Sequence, residues 1–142
     1  MASVAGWPSG RGVPPMLRTK QELSRCPSRF TAPPPPVVPS LTLSGDTLSW
    51  TPVEGATGYD VAAGNLIGLA EGGMSAATTG CVADDAPPSS ILIGTVPPLG
   101  TGFWYLVRGV NCGGPGSYGA GDPPLPLSRD EAIALSGNDC NP

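Results

Sequence analysis

The sequence predicts an all-β fold: an antiparallel sandwich of about seven short strands, preceded by an extended, proline-rich N-terminal arm. Three observations predict it. From Val37 onward, apolar residues alternate with polar ones at a period of two. Turn residues interrupt that alternation about every 8–12 residues. Gly (21) and Pro (19) together make 40 of the 142 residues. That share alone would suggest disorder, but runs such as Phe103-Trp104-Tyr105-Leu106-Val107 supply the apolar surface for a core. The length suits one domain able to bury a core without metals.

Leu41 and Leu43, then Leu48 and Trp50, alternate with Thr42, Ser44, Thr47 and Ser49. This is the pattern of two half-buried strands joined by a turn at Gly45-Asp46. Pro52 to Gly58 is a turn-rich connection, and Tyr59 and Val61 flank Asp60 in a third strand. Leu66 to Leu69 reads as a short fourth strand or a turn, and residues 70–90 read mostly as loop. Ser90 to Thr95 is the next strand, Pro97 to Gly102 a corner, and 103–110 the strongest strand. Gly113 to Gly116 is a turn, after which Ser117 to Ala120 opens a last strand. Residues 128–135 form a short helix, with Ser128 as N-cap, Glu131 at capping-box spacing and Gly137 as the stop. The organisation is an arm over 1–36, a sandwich over 37–121 and a tail over 122–142.

In the arm, Trp7-Pro8, Pro14-Pro15 and Pro33 to Pro36 exclude a strand interior and favour polyproline conformation. The last four prolines are expected to act as a stiff spacer of roughly 3 Å per residue. Leu17 to Leu23 has the composition for a helical turn or two. Residues 1–36 carry five bases against one acid, a net +4, while residues 37–142 carry two bases against ten acids, a net −8. A basic arm on an acidic body is suited to docking, on its own body or a neighbour's, with charge steering the encounter. Trp7, Arg18, Lys20, Arg25 and Arg29 are its candidate contact residues. The acidic body would repel phosphate, which argues against nucleic acid as a partner. No run approaches transmembrane length.

The four cysteines, Cys26, Cys81, Cys112 and Cys140, form no CxxC pair, and the chain has no histidine. Zinc and haem attachment are therefore poorly supported, and disulfides in an oxidising compartment are favoured. The expected location is extracellular or at a cell surface. Residues 1–36 contain no apolar stretch of signal-peptide length, so export would rest on a signal outside them. Without histidine there is no Ser-His-Asp or Cys-His machinery. Asp84-Asp85 and Asp130-Glu131 are neighbours whose side chains diverge, as solvated surface charge does. No alternating Asp/Asn run surrounds Asp84-Asp85 to make a calcium loop. No cofactor is expected, and the chain does not read as an enzyme.

Leu48-Ser49-Trp50-Thr51-Pro52-Val53-Glu54-Gly55-Ala56-Thr57-Gly58-Tyr59-Asp60-Val61 resembles the second-to-third strand segment of fibronectin type III domains, a group with immunoglobulin-like architecture. Gly100-Thr101-Gly102-Phe103 and Val107-Arg108-Gly109-Val110-Asn111 resemble that family's corner and sixth strand. The resemblance covers about residues 37–121. It implies that Trp50 and Tyr59 fill the core with Val61, Phe103, Tyr105 and Val107. Phe103 stands where the family usually has a corner tyrosine, so the corner is expected to be held by packing instead of a phenol hydrogen bond. Trp104, Leu106 and Arg108 then face outward, and are candidates for an assembly or ligand surface unless the tail covers them. The family's topology also implies a Cys81–Cys112 bridge. It leaves Cys26 and Cys140 either to bond within the chain or to link subunits.

Two functions follow as expectations. One is a non-catalytic structural subunit that self-assembles into a fibre or surface layer through its arm. The other is a monomeric module that binds protein or glycan, or spaces domains, in a secreted enzyme or adhesin.

Overall fold

The computed structural model describes residues 32–87, 89–120 and 127–140. The candidate residues Trp7, Arg18, Lys20, Arg25, Cys26 and Arg29, and the helical turn expected over 17–23, lie outside them. Among the described residues, strands outnumber helices and are arranged as two antiparallel sheets face to face. One sheet has the order β1-β2-β5: β1 (Leu41–Ser44), β2 (Thr47–Trp50) and β5 (Ser90–Leu92). The other has the order β4-β3-β6-β7: β4 (Thr78–Ala86), β3 (Gly58–Asn65), β6 (Phe103–Asn111) and β7 (Gly114–Pro115). Among the described residues, two helices accompany the sheets, α1 (Leu66–Ala77) and α2 (Arg129–Ser136). Among the described residues, no helix is long and apolar enough to cross a membrane.

The period-two pattern puts Leu48, Trp50, Tyr59, Val61, Ile93 and Val107 into one core between the sheets, with Ile91 and Tyr105 packed against it. Trp50 and Tyr59 meet with ring centroids 5.4 Å apart and planes tilted by 53°, a favourable edge-on arrangement. The Tyr59 hydroxyl accepts the Val53 N–H at 2.8 Å and so fixes the connection between β2 and β3. Phe103 is only half-buried, at the start of β6. The corner before it closes through backbone bonds, from Leu66 N–H to the Gly102 carbonyl (2.9 Å) and from Thr101 N–H to the Pro98 carbonyl (3.0 Å).

Three segments differ from the sequence reading. Residues 66–77 are helical rather than strand, turn or loop. Asn65 caps this helix by accepting the Gly68 N–H, and the helix kinks at Gly73, which takes φ 80°. Residues 78–86 form a strand rather than loop, paired to β3 with register shifts. Ser117 to Ala120 does not extend the last strand, because β7 is only Gly114–Pro115 and the chain then crosses onto the outer face of its sheet.

The proline run lies on the domain instead of standing off it. Asn111 Nδ2 donates to the Pro33 carbonyl at 2.8 Å, and Pro35 is buried. Gly109 makes room for it: a Cβ there would sit 3.0 Å from Pro35 Cβ and 3.1 Å from Ala56 Cβ. Prolines cannot donate to a ladder, but their rings pack and their carbonyls still accept. At the other end of the chain, Ser128 caps α2 through a reciprocal bond with Glu131, and Gly137 ends it with φ 76°.

Candidate functional site

The outer face of the larger sheet carries the most chemically distinctive cluster. Asp60 on β3 and Arg108 on β6 are direct cross-strand partners, and both point away from the main core. Arg108 Nε donates to Asp60 Oδ2 at 3.0 Å. The two residues are only 1% and 4% exposed, so the ion pair is removed from water.

The C-terminal tail is what buries them. Arg108 Nη2 donates to the Cys140 carbonyl at 3.2 Å and lies 3.4 Å from Asp139 Oδ1. The guanidinium stacks over the Tyr118 ring, 4.6 Å from its centroid, a favourable cation–π placement. On the other side, Asp85 N–H donates to Asp60 Oδ1 at 3.2 Å. To do so Asp85 takes φ 51° in the irregular part of β4, left-handed backbone that costs on the order of 1 kcal/mol. Burial pushes the Asp60 carboxyl above its ordinary value, against the pull of the Asp85 N–H and Arg108. The Arg108 guanidinium, despite its own burial, is held above its ordinary value by Tyr118, Asp60 and Asp139.

Beside the ion pair, Ala62, Tyr118 and Ile133 form a second buried cluster, with Met74, Trp104 and Leu106 packed on it. Trp104 lies opposite Gly64 in register. A Cβ on Gly64 would collide with the Trp104 ring and the Ala77 carbonyl, so only glycine lets the indole lie flat beneath α1. The tail is tied down twice more. Asp130 accepts from Ser117 Oγ and from Tyr118 N–H, the latter at 2.9 Å. Cys140 is disulfide-bonded to Cys81 on β4.

The Cys81–Cys112 bridge implied by the family topology is thus corrected to Cys81–Cys140. The tail returns across the sheet to β4, and Cys140 ends up buried there beside Asp60. Cys112 is also disulfide-bonded. Of the two alternatives for Trp104, Leu106 and Arg108, a binding surface or a face covered by the tail, the structure shows the covered face: Trp104 and Leu106 are half-buried and Arg108 is buried, all beneath α1, α2 and the tail. Asp60, Tyr118 and Asp139 were not singled out in the sequence. One signal for Asp60 was present: single charges of opposite sign, Asp60 and Arg108, interrupt the two most apolar strands.

The carboxylates of Asp60 and Asp84 and the sulfur of Cys140 lie within 4.8 Å of one another. The sulfur is locked in the disulfide and Asp60 already faces Arg108, so the donor set does not suit a cation. Burial raises the phenol of Tyr118 well above its ordinary value. Its folded pKa therefore exceeds its unfolded one, and the linked stability is complete below about pH 10 and lost as pH rises toward the folded value. Thermal unfolding followed from pH 8 to 11 should show a declining melting temperature above about pH 10, with a shallower decline in Tyr118→Phe. Equal slopes would place the alkaline sensitivity elsewhere. Compared with known proteins, the chain matches no family model, no curated protein and no solved structure.

Proposed function

We propose that this chain is a non-catalytic extracellular structural subunit of the fibronectin type III kind, which self-assembles when its basic arm docks on the sandwich of a neighbouring copy. The observation that carries this reading is the partition of charge, net +4 over residues 1–36 against net −8 over 37–142. Within the acidic portion only Arg108 and Arg129 are basic. Arg108 is spent on Asp60, and Arg129 Nη1 donates to the Tyr118 carbonyl at 3.3 Å. Carboxylates therefore dominate the body's field, and Asp46, Glu54 and Glu71 stand apart from the ion pairs of Arg108. The packing of Trp50 on β2 against Tyr59 on β3 supports the type III reading. The Cys81–Cys140 bridge supports an oxidising location.

An assembly of this kind is held partly by charge, so it weakens with salt. Sedimentation of the full chain over a concentration series should show masses above the monomer at low salt and a shift toward monomer near 1 M NaCl. A monomer at every concentration and salt would rule the reading out. One observation favours a second reading, a monomeric protein- or glycan-binding or spacer module of a secreted enzyme or adhesin: the tail covers the outward Trp104 and Leu106 within the same chain.

A further inference from the structure

The described domain has two unlike poles. At one pole lie the 51–57 connection, the Cys112-Gly113 turn and Ala32, where the arm joins. At the other lie the Gly45-Asp46 turn, the start of α1 and the 94–102 loop that leads into β6. The second pole carries the domain's most exposed large apolar residues. Leu99 is fully exposed, Val96 is 85% exposed, and Leu66 and Ile67 are each nearly half exposed. A shallow cleft opens there, lined by Leu66, Ile67, Ala70 and Glu71 of α1 and by the 100–102 corner. An apolar patch concentrated at one end of a domain normally has a partner.

Resting on the self-assembly reading above, we infer that this cleft receives the arm segment Val13-Pro14-Pro15-Met16-Leu17 of a second copy. The chemistry matches at both levels. The segment is an uninterrupted apolar stretch, and its two prolines lower the entropy lost on binding. Arg11 and Arg18 flank it, and Glu71 is the acidic residue of the cleft wall. The reach is sufficient. Leu17 and Ala32 are fifteen positions apart, a reach of up to about 50 Å, whereas the nine residues of β6, which run from pole to pole, span roughly 30 Å. Between copies, the arm's pole of one subunit faces the cleft's pole of the next, so the contact is heterologous and stacks subunits head to tail.

The test uses the full chain and two variants at exposed positions, Leu99→Asp and Ile67→Glu, neither of which touches the ion-pair cluster or the main core. Unchanged thermal unfolding of the dispersed variants verifies that they fold. Sedimentation velocity is then run over a concentration series. Each variant is expected to raise the midpoint for assembly at least about tenfold, the scale of losing one buried leucine-sized contact. Wild type that assembles alongside variants that assemble equally well would overturn the cleft as the docking site while leaving arm-driven assembly standing. Wild type that stays monomeric at every concentration would overturn both.

Discussion

Arg108→Ala is expected to destabilise the domain by about 3–5 kcal/mol, the cost of leaving one member of a buried ion pair alone. The substitution strands the Asp60 carboxylate, which is 1% exposed and keeps only the Asp85 N–H as a partner. It also removes the stack over Tyr118 and the bond to the Cys140 carbonyl. Against a total stability of about 5–15 kcal/mol for a domain, this is a large fraction. Urea unfolding of wild type and variant measures it. The companion double variant, Asp60→Leu with Arg108→Met, should recover most of the loss, because an apolar pair of similar size carries no desolvation cost. If Arg108→Ala unfolds within 1 kcal/mol of wild type, the ion pair is solvated and the tail does not seal it.

Removing the bridge between β4 and the tail should have an effect of similar size. Cys81 and Cys140 are 59 residues apart, and a closed loop of that length contributes roughly 4 kcal/mol through the unfolded chain. A Cys81→Ser, Cys140→Ser double variant should also open locally. Residues 127–140 are held otherwise by α2 packing and by the contacts of Asp130, Asp139 and Arg129. Hydrogen exchange should therefore show faster exchange over α2 and its flanks, with β2, β3 and β6 still protected. Exchange that accelerates equally in both sheets would mean the tail and the sandwich unfold as one unit, and that the bridge does not act as a local clip.

The parts of the fold that were legible in the sequence are those where local chemistry and tertiary packing agree. Trp50, Tyr59 and Val61 alternate as strand residues and are buried together. Ser128, Glu131 and Gly137 specify the start and stop of α2 with side-chain and backbone bonds available within the helix itself. Where the two levels disagree, the sequence was silent. Gly68, Gly72 and Gly73 make α1 a poor helix on its own. Packing beneath Asn138, which donates to the Thr78 carbonyl at 3.0 Å, and over Trp104 supplies what propensity does not. In β4, Gly80 and Asp84-Asp85 are weak strand formers, and its irregular pairing hides the period of two.

The candidate site was half legible for the same reason. Register correctly set Trp104, Leu106 and Arg108 on the outer face, away from Tyr105 and Val107. What covers that face depends on where a tail some twenty residues downstream comes to rest, and no local pattern encodes that. The disulfide shows the same dependence. Four cysteines allow three pairings, and only the path of residues 127–140 across the sheet brings Cys140 to Cys81.

Assembly of copies of this chain through the basic arm, as proposed, must depend on the arm's positive charge. Negative-stain electron microscopy of the intact protein, beside a full-length variant with Arg18, Lys20, Arg25 and Arg29 changed to Glu, tests it most directly. Arm-driven assembly predicts ordered assemblies in the wild type and dispersed single particles in the variant. Dispersed particles in both, or identical assemblies in both, would contradict it.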